Sequence, residues 1–475
     1  MSKIVCERSY PEVQSFKYFF DTTFTGWQVM GKSELAIFGG PKAVQSDPGD
    51  IFTWPRITKE VEEAVLEVLR AGKMSDIDVT EKFEREFAEW LGVKYALAHN
   101  NGTAALHSAM FGIGIRKGDE VICPSITYWA SCLPVYSLGG TVVFADIDPE
   151  TLCLDPNDVE RRITPRTKAI IVVHYLGMPA DMDAIMNIAE RHGLKVIEDC
   201  SHAHGALYKG KMVGTFGDVA CFSLMSGKSL ACGEGGMLTT NDRRIYERAI
   251  AFAHYERHSL LTYEDLKYGA GLPWGGYKYR MHQLTSAVGR VMLKYYPEWM
   301  AEIDRAMNYF WDLLEGLPGI RSHRPPKGSG TTKGGWYAPH GLYRSEELDG
   351  LSIHRFCEAL RAEGVPSRPG CNLPLHLHPL FNTIDVYGDG KPTRIANCPP
   401  GVDIRQPLGS LPVSESIQEK VFSVPWFKRY RPEIIKEYAE AFKKVIENYR
   451  ELLPGDTKRG EPVGAWGMTR LIRNP

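Results

Sequence analysis

From about residue 57 to about residue 240, short apolar runs alternate with stretches of helical period, and few folds accommodate such a chain. Tyr95–Ala98, Val121–Cys123, Val142–Ala145, Ala169–Val173 and Val196–Ile197 are apolar throughout, as strands buried on both faces are. Between and before them, residues 57–71, 80–92, a segment opening at Thr103, about 127–136 and about 180–192 read as helices. Buried strands separated by helices assemble into a mostly parallel sheet with helices on both faces. The expected class is α/β.

The alternation stops near Tyr277. Residues 282–316 read as helices, Leu317-Pro318-Gly319 as a break, and the Gly/Pro-rich stretch 324–335 as a linker or exposed loop. Residues 351–363 and 431–453 read as further helices. The expected organisation is a large domain over 35–309 and a smaller C-terminal α/β domain over 310–453. Residues 1–34 read as an extension that fits poorly with the rest of the chain, with Met30 a candidate true start. Residues 454–475 read as a loose tail.

Composition narrows the function. The 475 residues carry 56 Lys+Arg against 58 Asp+Glu, a net charge of −2, which argues against a nucleic-acid binder. No apolar run approaches the ~20 residues that span a bilayer. The ten cysteines are scattered, without CxxC pairs or Cys/His metal spacing. Buried, reduced thiols in a cytoplasmic protein are the plain expectation.

Three segments carry chemistry. Gly102-Thr103-Ala104-Ala105-Leu106 puts a Gly after a strand and a Thr at the opening of a helix, a seat for phosphate or an ordinary N-cap. Glu198-Asp199-Cys200-Ser201-His202 places acids at the C-terminal end of an apolar strand, facing the crevice where α/β folds bind ligands. A carboxylate there needs a cation, either a protonated ring nitrogen or a structural Arg or Lys. Lys228 lies in a Gly/Ser-rich loop between Phe222-Ser223 and Gly233-Glu234-Gly235-Gly236. It is either a solvated Lys or one held in a cleft with a lowered pKa, able to form a Schiff base.

Together the three are what pyridoxal 5′-phosphate (PLP) requires. The acid keeps the pyridine nitrogen protonated, an interaction of about 4 kcal/mol at 4 Å and an effective dielectric of 20. The lysine binds the aldehyde and afterwards carries the proton.

The chain also resembles the DegT/DnrJ/EryC1/StrS aminotransferases. The motifs are Gly102-Thr103-Ala104-Ala105-Leu106, Pro124-Ser125-Ile126-Thr127-Tyr128, Glu198-Asp199-Cys200-Ser201-His202-Ala203-His204-Gly205, Phe222-Ser223 with Lys228, Gly276-Tyr277-Lys278-Tyr279-Arg280-Met281 and Pro374-Leu375-His376. The resemblance implies the fold type I, aspartate-aminotransferase-like architecture and a homodimer with shared active sites. It implies transfer of an amino group from glutamine or glutamate to a keto-sugar or keto-cyclitol. By the same resemblance Lys228 is the Schiff-base lysine and Asp199 the pyridinium partner. Gly102, Thr103 and Ser223 hold phosphate, and Tyr128 stacks on the cofactor unless it is a core aromatic, with Trp129 the alternative. Arg280 is a candidate for a substrate anion or an interface Arg. His376, with His378, lies near the site, and a metal reading of that pair is weak without acidic neighbours.

Three departures matter. His202 stands where the family usually has Gln, adding a titratable group, and the Ser-His-Ala-His-Gly version resembles the branch that aminates inososes. Lys278 replaces the usual Asn that contacts the partner subunit's phosphate, and is either its substitute as a point charge or solvent-facing. Lys228 is kept where sugar dehydratases of the family carry His, which favours transamination. A dehydratase and a non-catalytic regulator on the same scaffold remain the rival readings; a nucleotide-binding dehydrogenase lacks its GxGxxG.

Overall fold

The structure is a computed structural model that describes residues 33–457. The proposed start at Met30, with all of the N-terminal extension before residue 33, and most of the expected tail lie outside those residues. Five strands come first: β1 (Tyr95–His99), β2 (Glu120–Pro124), β3 (Thr141–Ala145), β4 (Thr167–Val173) and β5 (Lys195–Asp199). A small hairpin of β6 (Leu207–Tyr208) and β7 (Lys211–Met212) precedes β8 (Val219–Ser223) and β9 (Gly236–Thr240). Seven of these form one sheet in the order β1-β9-β8-β5-β4-β2-β3. It is parallel from β8 to β3, and β9 runs against both its neighbours. Ile170, Ile171 and Val172 of β4 are fully buried, as expected for a strand covered on both faces.

The covering helices are α1 (Lys59–Ala71), α2 (Asp78–Leu91), α3 (Gly102–Gly112), α4 (Pro156–Arg161), α5 (Met182–His192), α6 (Arg243–Ala253) and α7 (Gln283–Leu313). Local chemistry sets their ends. Thr58 accepts from the Val61 N–H to start α1, and Asp181 accepts from Ala184 to start α5. The start of α2 is capped from far away, by Gln283 Oε1 accepting from the Val79 and Thr80 N–H groups.

Three expectations change. The helix over 127–136 is two 3₁₀ turns, Trp129–Ser131 and Leu133–Leu138, because Pro134 has no N–H to extend a helix through this segment. The helices over 282–316 are one helix, α7, with Pro297 inside it; its first part packs on one core through Met292 and Tyr296, its second on another through Ile303 and Phe310. The stretch 324–335 is not simply an exposed loop. Thr332 donates to Leu207 O at 2.8 Å, and the Lys333 side chain is fully buried. Residues 326–330 are exposed as expected, whereas 333–335 are buried.

The smaller part contains an antiparallel sheet of β10 (Ile320–Ser322), β11 (His340–Tyr343) and β12 (Val421–Ser423). It carries α8 (Ile353–Ala362), the short α9 (Pro379–Asn382), α10 (Thr393–Ala396) and α11 (Pro412–Ser416), and α12 (Pro432–Glu447). Phe310, Trp311, Phe356, Phe422 and Phe442 centre its core, which also takes Leu35 and Ile51 from the N-terminal side. In return Leu375, Phe381, Leu411 and Ile417 pack on the first core. The two cores are therefore not divided at 309/310 in chain order. The outer edge of the sheet at β3 is closed by Gln406, whose Oε1 accepts from Phe144 N and whose Nε2 donates to Phe144 O, and by Arg394, bonded to Gln406 and to Val142 O. Among the described residues no helix is long and apolar enough to cross a membrane, and nine cysteines are free.

Candidate active site

Strand β5 ends in two acids whose side chains alternate across the sheet. Asp199 lines a cavity of about 570 Å³ at the C-terminal ends of the parallel strands. Its Oδ2 accepts from Ser131 Oγ at 2.7 Å and its Oδ1 from Ser201 N at 3.1 Å, which fixes the carboxylate's orientation. Glu198 does not face the crevice, contrary to the reading of both acids together. It is sealed on the other side: Oε1 accepts from Phe216 N and Gly217 N, and Oε2 from Gly214 N and His174 Nε2. His174 Nδ1 accepts from Ala180 N, so the ring proton is on Nε2 and points at Glu198. Although His174, Glu198 and Cys200 lie close enough to hold a metal ion, the carboxylate is already saturated by these donors.

Lys228 occupies the loop between β8 and β9, where its N donates to Met225 O and its carbonyl accepts from Trp54 Nε1, each at 2.8 Å. The residue is 8% exposed. Nζ lies 4.1 Å from the centroid of the Tyr337 ring. Burial lowers the amine to about 8, with the negative charge of Asp199 acting in the opposite direction. A free amine population near neutral pH is what carbonyl chemistry needs.

The opening of α3 forms the third part. Asn101 accepts from Ala104 N with its side chain and from Ala105 N with its carbonyl. The N–H groups of Gly102 and Thr103 are left without a partner inside the helix, beside the Thr103 hydroxyl. A Cβ on Gly102 would stand 2.8 Å from Ser223 Cβ, so only glycine lets the end of β8 come this close. Gly102, Thr103 and Ser223 therefore share one wall of the cavity, a helix N-terminus suited to an anion.

His202 also lines the cavity. Its Nδ1 accepts from Leu176 N at 3.3 Å, which leaves Nε2–H as a donor. Burial, followed by the charge of Lys228, holds the ring well below the ordinary histidine range. The extra titration expected near neutral pH is thus suppressed, and His202 is a neutral donor, as Gln would be. Tyr128 is in the wall and half exposed, while its neighbour Trp129 is not among the lining residues.

The remaining sequence candidates stand elsewhere. Lys278 is exposed, with Nζ 5.8 Å from the Tyr255 ring. Arg280 donates to Ser75 O at 3.4 Å. Neither lines the cavity of its own chain. His376 is buried outside the wall, bonded through Nδ1 to Ser125 Oγ and through Nε2 to Glu415. His378 Nδ1 accepts from Leu380 N.

The sequence reading missed Ser131, Tyr175, Tyr337, His340 and Asn372, all in the wall. Ser131 lies in the segment read as a helix, and Tyr337 and His340 come after the stretch read as a linker. Only contact across the fold identifies them. As a set the wall fits PLP: an amine for the aldehyde, a fixed carboxylate for the ring nitrogen, a neutral imidazole N–H for the phenolic oxygen and a glycine-lined helix end for the phosphate.

Residues 55–443 match the DegT/DnrJ/EryC1/StrS aminotransferase family. The chain is 40% identical over 329 residues to the GDP-perosamine synthase of Escherichia coli O157:H7, covering 69% of this chain and 86% of that one. It is 34% identical over 433 residues to the L-glutamine:2-deoxy-scyllo-inosose aminotransferase of Streptomyces kanamyceticus, covering 88% and 97%. Among solved structures, an aminotransferase from Psychrobacter cryohalolentis superposes with a TM-score of 0.72 at 30% identity, covering 84% and 99%.

Proposed function

The chain belongs to the DegT/DnrJ/EryC1/StrS aminotransferase family of PLP enzymes, and from that premise we propose that it moves an amino group from glutamine or glutamate to a keto-cyclitol. The observation that carries the chemistry is that Lys228 and Asp199 line the same cavity as the Gly102–Ser223 cradle. When bound, PLP supplies the electron sink that makes the donor's α-proton acidic. Asp199, held by Ser131 and Ser201, would be the partner of the ring nitrogen. Lys228 would supply the amine that holds the cofactor and, when free, would be the base placed to take up the donor's α-proton. Gly102, Thr103 and Ser223 would hold the phosphate and so fix the cofactor's orientation relative to that amine.

Two features favour a cyclitol over a nucleotide-linked sugar. The match to the inosose aminotransferase runs through more of both chains than the match to the perosamine synthase. Among the described residues, this chain's own share of the wall offers Thr127, Tyr175 and Asn372, polar neutral groups suited to a polyhydroxylated ring. The reading includes a homodimer. Lys278 and Arg280 stand outside their own cavity, on the same segment as exposed Tyr255, Leu260, Tyr268, Leu272 and Trp274, which a second copy would cover. A half-reaction screen tests the proposal. Glutamine and glutamate are each mixed with the holoenzyme and loss of the bound-cofactor absorbance is followed. Return of that absorbance with an inosose supports the cyclitol reading; return only with a nucleotide-linked keto-sugar replaces it.

A further inference from the structure

One wall of the cavity is held more tightly than its sequence suggests. Tyr337 is flanked by two non-glycine residues in the left-handed region, Trp336 at φ 53° and Ala338 at φ 44°. Such conformations persist only where the surroundings impose them, and they gather at functional sites. Here every neighbour is tied down. Lys333 Nζ bonds His323 Nδ1 and O at 3.0 and 2.9 Å. Gly335 O accepts from Trp426 Nε1, and a Cβ on Gly335 would stand 2.4 Å from Ser229 Cβ. Trp336 Nε1 donates to Asp304 Oδ1 at 2.7 Å, and Ala338 O bonds His340 Nδ1 at 2.8 Å.

The clamped run carries the Tyr337 ring to the Lys228 amine, 4.1 Å from its centroid. On the ring's other contacts stand His202, centroid to centroid 4.5 Å, and Trp426, edge-on at 5.8 Å. A lysine that must carry a proton while unattached has a flexible stem and many places to go. We propose that Tyr337 is a positioning residue for Lys228, its ring being a fixed platform that holds the released amine over the site. This rests on the assignment of Lys228 above. The face of the ring, not its hydroxyl, does the holding, since a cation is attracted to the π-face.

The test uses three variants. Tyr337→Phe keeps the platform and is expected to keep kcat close to wild type. Tyr337→Leu keeps bulk without the π-face; kcat falls about tenfold while KM for the amino donor stays. In the apoenzyme, competitive acetylation of Lys228 against pH, read by peptide mass spectrometry, shows its amine titrating roughly half a unit lower in the Leu variant. Ala338→Gly leaves the ring in place but releases one constraint, and is expected to lower kcat in the same direction even if the Leu variant does not fold. Wild-type kcat in Ala338→Gly, an unshifted titration in the Leu variant, or a loss in Tyr337→Phe equal to that in Leu, overturns the proposal. Borohydride reduction separates the two claims. Cofactor fixed on another residue defeats the assignment of Lys228, whereas cofactor on Lys228 with an unshifted titration defeats only the role of Tyr337.

Discussion

The cavity wall and the sealed layer behind it use the same residue types to opposite ends. Asp199 and Glu198 are consecutive, yet one faces the cavity and the other is closed in by three N–H groups and His174. Lys228 and Lys333 are both buried, and burial lowers them to about 8 and about 7 respectively. Only Lys228 opens on space a substrate can enter; Lys333 spends its protons on His323. A shifted pKa therefore does not mark catalysis here. What separates the two pairs is access to the cavity.

The sharpest break is expected at the lysines. Lys228→Ala removes the proton carrier and lowers turnover at least about 10³-fold, measured as steady-state transamination with unfolding temperature unchanged. Lys333→Met is expected to retain cofactor attachment at Lys228. The acids come next. Asp199→Asn removes the charge facing the cofactor ring and costs on the order of 10³-fold in kcat, by the Coulomb energy of a close pair. Glu198→Gln leaves a buried N–H without its acceptor and lowers unfolding free energy by roughly 2–3 kcal/mol in urea titrations, with kcat of the folded fraction retained. An active Asp199→Asn enzyme, or a stable Glu198→Gln protein, would erase the contrast.

Smaller effects concern pH. Folding drops the Lys333 amine from 10.5 to about 7, so between those values the folded chain holds fewer protons than the unfolded one. Stability accordingly rises with pH across that window and is lost as pH falls through it, by at most about 1.4 kcal/mol per pH unit. In Lys333→Met this share of the slope disappears, which denaturant titrations at pH 7 and pH 9 would reveal. The smallest change is expected for His202→Gln. Because burial keeps His202 neutral, the pH–rate profile from 6 to 9 should superpose on wild type within error; a displaced limb would show that the imidazole titrates in the working enzyme.

Much of the sheet could be read from residue order, because a strand segment buried on both faces must be apolar, as β4 is from Ala169 to Val173. Asp199 and Gly102 were legible for a similar reason: each sits at the end of a strand or helix, and those ends carry local signals, while Lys228 stood out by the Gly/Ser-rich loop around it. Ser131 was not, since its segment breaks into 3₁₀ turns at Pro134 and its role depends on a carboxylate from another strand. Tyr337 was hidden behind a Gly/Pro-rich stretch whose looseness in sequence is cancelled by Lys333, Trp336 and Trp426.

Residue order by itself pointed to the α/β class, the family and the two charged groups, Asp199 and Lys228, that line the cavity, because apolar period and short terminal motifs are local properties. Which acid of the Glu198-Asp199 pair meets the cavity, whether His202 carries charge, and what holds Lys228 in place were decided only in three dimensions. Burial, a neighbour's donor and a clamped backbone are made by residues far apart in the chain, and no window of sequence contains them.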